Sequence, residues 1–430
     1  MEQLFLKHIF AGLLVSGVFV TPVHAESLPN LLSDLLANDN QISAAKADME
    51  AATEAITSAE GSHYPALDIT GTYGNERQLK PNATDTSFVS RELDFTVTQR
   101  LWDFGATDAS IDTVKLQREQ TGEALQTTQS GVLLRAFTAY VNVLRASQVL
   151  NFAIQSEDNV RRQTELEDAL VESGAGATTD ILQAKVQLAG AMARRVRANG
   201  ALEVAKNNFR GVFLKDPGSI DELKIPRLPL DRLPLTLEEA VETALNNSPV
   251  LKSSLLDSLI ARETVRQTHA SSYRPTVDGI VEYKLKEDVS ATAGRQNETF
   301  AKIEVNFPFN LGMTAVNTIK ATELAHASAN YRYADAKTQI EVRARNAWQQ
   351  LQTAQANADL LKNQANIAAA FLELAREERK LDRRSLLDVL SGEVALINAN
   401  SDAASAETDI AIATVTLLDV MGELTDDDLR

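Results

Sequence analysis

Asp180 and Asp388 stand 208 residues apart, and each lies just after a short polar turn at the start of a periodic stretch. A carboxylate in the first turn of a helix is ordinarily held there by the dipole, so either one alone says little. The same position used twice suggests a charged ring once the chain is replicated about an axis. Thr179 adjoins the first acid, and Arg379, Arg383, Arg384 and Ser391 surround the second. These side chains support ion binding, hydrogen bonding and charge pairing, not bond making. Nothing elsewhere offers stronger chemistry. The 430 residues contain no cysteine, which excludes disulfides, thiolate metal sites, Cys nucleophiles and lipidation at an N-terminal Cys. Only His63, His269 and His326 lie beyond residue 25, too few for a His-based metal centre or triad, and no Gly-x4-Gly-Lys-Ser/Thr phosphate loop occurs. The expectation is a protein without catalytic residues, cofactor or metal: not an enzyme. A net charge of −17 argues against nucleic acid as a partner.

The elements that must position the two acids are written twice. Tyr64-Pro65 is matched by Arg274-Pro275, Phe104-Gly105 by Leu311-Gly312, Ala139-Tyr140 by Ala347-Trp348, and Thr179–Leu182 by Leu387–Leu390, at offsets of 207 to 210. The repeats are placed at 26–212 and 236–422, with a Pro-rich linker at 213–235 and a solvated acidic tail at 423–430. Residues 1–25 read as a secretory signal peptide: Lys7 and His8 precede an apolar run that is too short to span a bilayer.

Each repeat reads as a helix, two strands, a very long helix, a tight turn and another long helix. The first helices are expected at 30–62 and 236–271. From Ala106 to Glu172 and from Thr314 to Leu381 there is no proline. Helices of that length imply coiled-coil packing. The run Leu387, Leu390, Val394, Ile397, Ser401, Ala404, Thr408, Ala411, Val415, Leu418 alternates steps of 3 and 4, the period of a left-handed supercoil. The turns carrying the acids reverse the two long hairpins (105–212 and 312–422). Thr178 or Thr179 is expected to cap the return helix of the first, and Ser385 or Asp382 that of the second.

Between the helices the period drops to 2, marking strands at 64–79, 88–104, 273–289 and 297–311. One face carries Leu67, Ile69, Tyr73, Leu93, Phe95, Val97, Val281, Tyr283, Ile303 and Val305. The other carries Asp68, Thr70, Asp94, Thr96, Asp278, Glu282 and Glu304, a wet and acidic lining. Eleven of the twenty aromatics after residue 25 fall in residues 64–104 and 273–311. Trp102, Phe104, Phe307 and Phe309 cluster at the strand ends nearest the long helices, where an aromatic girdle sits at a membrane interface. Four strands cannot close a barrel. Identical neighbours would have to complete it, and three chains would supply twelve strands.

The ordered set of signal peptide, two repeats, Tyr64-Pro65 and its variant Arg274-Pro275, Arg100-Leu101-Trp102-Asp103-Phe104-Gly105, paired strands, giant hairpins and Arg384-Ser385-Leu386-Leu387-Asp388-Val389-Leu390 resembles the TolC-like outer membrane efflux protein family, over nearly all of the mature chain. The resemblance implies a mainly α fold with a small β part. Its homotrimer forms a 12-stranded β-barrel in the lipid of a Gram-negative outer membrane, on an α-helical tunnel that crosses the periplasm. It implies a periplasmic adaptor (membrane fusion) protein and an inner-membrane transporter, such as an ABC exporter, as partners. By the same resemblance, Asp388 matches an acid that lines the closed periplasmic tip. A second acid is common three residues on, where this chain has Ser391. Arg384 matches a basic latch residue, with Thr179 and Asp180 as its partners. A tyrosine common five residues before that base is Arg379 here, which predicts a latch made by charge, with Arg379 meeting Asp180. The expected role is a passive exit duct, gated at the tip. The Arg-Arg-Ser-Leu-Leu-Asp-Val-Leu tip and the thinned acid ring favour type I protein secretion. Multidrug or metal efflux is the alternative. A periplasmic coiled-coil adaptor is a third reading, which two hairpins without a lipoyl-like β-domain disfavour.

Overall fold

The computed structural model describes residues 27–79, 81, 85–174, 177–220, 223–224, 226–308, 312–381 and 383–429. The signal peptide, Phe309 and Asp382 lie outside the described residues. In chain order the elements are α1 (Leu28–Asn38), α2 (Asn40–Glu60), β1 (Ala66–Gln78), β2 (Thr86–Trp102), α3 (Ala106–Glu172), α4 (Thr178–Phe213), α5 (Leu237–Asn247), α6 (Pro249–Tyr273), β3 (Thr276–Glu287), β4 (Arg295–Asn306), α7 (Thr314–Lys380) and α8 (Leu386–Val420). Both ends of α3 and α7 are offset by 208, and each helix has 67 residues, a length of about 100 Å. Each starts after a left-handed residue, Gly105 (φ 85°) and Met313 (φ 53°), also 208 apart.

The opening helix of each repeat is two helices, not one. Asp39 breaks the first: its carboxylate accepts from the amides of Gln41 (2.8 Å) and Ile42 (3.0 Å) and so starts a new helix. Ser248 breaks the second, because Pro249 behind it disfavours a helical conformation and opens α6.

No single stripe of α3 is apolar from end to end, because its partners change along its length. Its upper part packs on α2 and α6, its lower part on α4 and α8. The exchange takes place in a thick central belt. There Phe137, Tyr140, Phe209, Leu351, Leu417, Leu418 and Met421 are buried with Leu28, Leu31 and Leu32 of α1. The linker joins this core: the Tyr140 hydroxyl donates to the Lys224 carbonyl at 3.0 Å. The acidic tail is docked rather than solvated. Leu429 is buried in the belt, and the buried carboxylate of Asp428 accepts from Arg232. An ion pair with the linker outweighs solvation of a lone acid there. Towards the tip the core thins to small clusters (Val160, Ala184, Ala191, Leu386 and Leu390; Leu372, Ala375 and Val389). The seam expected on α8 is buried from Leu390 onward except at Val394 and Ser401, which are half-buried, but Leu387 is exposed and Leu386 takes its place.

The four strands form one antiparallel sheet in the order β1-β2-β3-β4, so β1 and β4 each keep an unpaired edge among the described residues. Registers Ile69↔Phe95↔Tyr283 and Val97↔Val281 put the alternating apolar residues on one face. That face is uncovered: Leu67, Ile69, Ile303 and Val305 are all more than half exposed. A β-bulge at Leu101 shifts the register so that Trp102 pairs with Val277 and joins the apolar face, which plain alternation would have denied it. The opposite face is wet and its acids stay in excess, with four cations set among them. Lys284 lies 3.3 Å from Glu282, Lys302 2.8 Å from Glu304, Lys286 2.6 Å from Glu298, and Arg100 2.5 Å from Asp278. Cross-strand pairing sets these cations between the acids. Among the described residues no helix is long and apolar enough to cross a membrane.

Candidate functional site

The two hairpin turns meet at the end of the molecule farthest from the sheet. α3 brings Glu167, α4 brings Asp180, and α7 brings Arg379 to one point. The Arg379 guanidinium donates to both oxygens of Glu167, at 3.1 and 3.4 Å, and stands 3.8 Å from Asp180. It also donates to the Arg384 carbonyl at 3.4 Å, which ties it to its own turn. The Glu167 side chain is only 2% exposed, with Gln163 donating to it at 3.1 Å. A carboxylate so buried is tolerated because it is paired and hydrogen-bonded. The Arg379–Asp180 contact is therefore the outer part of a pairing whose buried centre is Glu167.

Arg384 does not reach Thr179 or Asp180. Its Nε donates to Glu378 at 2.8 Å, it lies 3.9 Å from Asp388, and its guanidinium sits 5.7 Å from the Phe371 ring centroid, all within its own hairpin. Arg384 stands only six positions after Glu378, so the turn offers it a nearer acid than the other hairpin does. Thr179 is exposed within the first turn of α4, and the cap position is Ala177, without a side-chain bond. Ser385 does cap α8. Its Oγ accepts from the Asp388 amide at 3.2 Å and donates to the Asp388 carboxylate at 2.9 Å. Asp388 is thus partly engaged in holding its own helix start, with 46% of its side chain exposed. Arg383 and Ser391 are exposed.

Two more buried glutamates stand above this point, and sequence reasoning missed them along with Glu167. Glu157 of α3 accepts from Arg195 of α4 at 2.6 Å, and also from Arg161. Glu393 of α8 accepts from Arg376 of α7 and, at 3.4 Å, from Asn159 of α3. The signal was present: Ala153, Glu157, Val160, Thr164 and Glu167 step by 4, 3, 4, 3, and all are buried. Acids at seam positions of a coiled coil are core residues, not a solvated face. Glu167–Arg379 and Asn159–Glu393 both join the first hairpin to the second. The hairpins can separate only by breaking them. Gly392 permits the close approach of α7 and α8 beside these pairs; a Cβ there would lie 3.2 Å from both Leu372 and Phe371.

At the opposite end, Trp102 and Phe104 meet edge to face with centroids 5.9 Å apart. Phe104 is left-handed (φ 59°), an uncommon conformation for a ring-bearing residue. Asp103 between them secures the start of α3. Its carboxylate accepts from the amides of Gly105 (3.0 Å) and Thr107 (2.7 Å) and from the Thr107 hydroxyl. Burial pushes its pKa up, but these donors and nearby Arg100 outweigh burial and hold it below the usual 3.8. Phe307 is exposed at the end of β4.

The family model described as "Outer membrane efflux protein" matches residues 31–212. The outer membrane protein TolC of Vibrio cholerae is 26% identical over 421 residues, covering 96% of this chain and 94% of that protein. The outer membrane efflux protein BepC of Brucella suis is 25% identical, covering 98% and 91%. Among solved structures, the outer-membrane channel OprN superposes with a TM-score of 0.80 at 17% identity, over 92% of this chain and 90% of that one. CusC, described with its transmembrane channel formation, gives 0.79 at 16% identity, over 94% and 93%.

Proposed function

Because the chain belongs to the TolC-like outer membrane efflux protein family, we propose that three copies close their sheets into one twelve-stranded barrel and act as the exit duct of an envelope-spanning export machine. The chain is an outer-membrane efflux channel, not an enzyme. The observation that carries the trimer is the sheet itself, with an uncovered apolar face and two unpaired edges. Joining β1 of one copy to β4 of the next removes every edge and places the apolar face against lipid. The helices extend the same logic. α7 leaves Leu360, Ile367 and Leu374 exposed at heptad spacing, and α4 leaves Leu182, Val186 and Val196 exposed. These outer seams suit one another across a copy-to-copy join.

In this reading the tip is the gate, and the Glu167–Arg379–Asp180 cluster with Asn159–Glu393 is its closure. An adaptor and an inner-membrane transporter supply recognition and energy, and the duct supplies none. The cargo favoured is a polypeptide passed by type I secretion. The supporting observation is the weak acid ring: Ser391 replaces one acid, and Asp388 is drawn into the Ser385 cap. Absence of cysteine makes the architecture directly testable. Paired cysteines in β1 and β4 should give a covalent trimer ladder in outer membranes, and monomers alone would refute closure. A deletion strain should lose a secreted protein. Unchanged secretion with raised drug or metal sensitivity would replace the secretion reading by efflux.

A further inference from the structure

The apolar face of the sheet ends in a cluster holding a cation that no carboxylate among the described residues satisfies. The Arg274 guanidinium lies 5.2 Å from the centroid of Phe104, which in turn meets Trp102. Arg274 is exposed at the C-terminal cap of α6, and Trp102 is 60% exposed. The other cations at this level are engaged. Arg100 pairs with Asp278 (2.5 Å), Arg266 with Asp112 (3.1 Å) and Glu263 (2.8 Å), and Lys115 with Glu60 (3.2 Å). Among the described residues Arg274 has only the ring. The internal repeat sharpens the contrast: the matching position is Tyr64, so the second repeat carries a cation where the first carries a phenol. β2 and β3 are the central strands, so the cluster is removed from both edges at which copies join.

We propose that Arg274, with Phe104 and Trp102, binds the phosphodiester of an anionic phospholipid in the leaflet nearest the helices. This rests on the barrel reading above. A guanidinium offers a planar fork of donors that fits phosphate in two bonds. The two rings lie at the depth of the headgroup and glycerol, where amphipathic aromatics settle. Phe104 holds the guanidinium against the rim, so little freedom is lost when the phosphate arrives. In a chain of net charge −17 Arg274 is a cation turned towards a surface that is itself anionic, while the Asp103 carboxylate beside the rings is held by the amides of Gly105 and Thr107.

Trp102 is its own reporter, because the only other tryptophan is Trp348. The trimer carrying Trp348→Phe is placed in vesicles of brominated phosphatidylcholine, with rising fractions of brominated phosphatidylglycerol. Trp102 should be quenched in phosphatidylcholine alone, and phosphatidylglycerol should be preferred about fivefold at the site, the effect of one basic residue near an anionic surface. Arg274→Gln should bring that preference close to one while leaving quenching in phosphatidylcholine intact. Arg91→Gln, which alters a cation near Tyr73 and Glu287, should change nothing. Equal preference with and without Arg274 overturns the proposal. So does competition by inorganic phosphate, which would make the site one for a free anion. No quenching in phosphatidylcholine would refute the barrel reading itself, and the lipid site with it.

Discussion

Replacing Arg379 by alanine should open the tip. The variant strands Glu167, whose side chain is 2% exposed, with Gln163 as its remaining donor. Breaking a buried pair from one side costs about 3–5 kcal/mol. Arg379 keeps 26% of its side chain in water, so the pair is not fully desolvated. Hydrogen bonds to a charged group suggest about 2–3 kcal/mol as the better figure here. At 1.4 kcal/mol per decade, that shifts the closed-to-open ratio by about 30- to 140-fold. Single-channel conductance in planar bilayers reads this directly, as a rise in open time or in the size of the resting current. Arg379→Met combined with Glu167→Leu should restore closure, because it leaves no buried charge unpaired, and Asp180 keeps a third of its side chain in water. A wild-type current from Arg379→Ala, or a double variant as leaky as the single one, would refute the buried pair as the closure.

Arg384→Ala should raise conductance far less than Arg379→Ala, because Arg384 is held by Glu378 of its own hairpin; equal effects would return the latch to Arg384. Asp388→Ala should weaken block by divalent cations less than about fivefold, since an exposed charge pair is worth about 0–1 kcal/mol, and a complete loss of block would show that the ring is strong after all. Asp103→Ala should cost about 1–2 kcal/mol at neutral pH, the value of a helix cap. The folded pKa of Asp103 is depressed, so its contribution is present above the unfolded value of 3.8 and is lost as pH falls through the folded one. Thermal unfolding of the variant and the parent should therefore converge in acid, and a gap that persists there would contradict the assignment. Gly422→Ala should destabilise the belt by about 2–4 kcal/mol, because φ is +73° and a Cβ would lie 2.7 Å from the Asn247 carbonyl oxygen; an unchanged melting temperature would rule this out.

The long helices and the strands were legible because each has a period that little else produces: 3-and-4 steps without proline, and strict alternation. Breaks inside good helix formers were harder. The Ala- and Glu-rich run around Asp39 hides a cap that only its hydrogen bonds reveal. Which acids of the neighbouring strands Lys284 and Lys302 meet could not be read, because Asp94 and Glu282 come beside them only once the register is known. Trp102 reached the apolar face through a bulge that alternation cannot contain. At the tip, the sequence pointed to Arg379 and Asp180 but not to Glu167, since an acid in a heptad is usually taken for surface. The resemblance assigns Arg384 across the hairpins, and the turn's sequence gives no hint that Glu378 is the nearer acid. The tail reads as solvated because three consecutive aspartates look soluble, and only the fold brings Arg232 beside one of them.

The central belt divides the wall into two kinds of member. α3 and α7 pass through it unbroken, whereas α4 and α8 end inside it, anchored by the Phe209–Phe213 stack and by Leu417 and Leu418. The lower helices are therefore levers with fixed fulcrums. α4 has 36 residues and α8 has 35, arms of about 54 Å at 1.5 Å per residue. A swing of about 10° at the fulcrum carries the far end about 9 Å sideways, close to the width of a helix. An aperture of molecular size is thus reached by small angular travel, and the sheet above the fulcrum has no need to move.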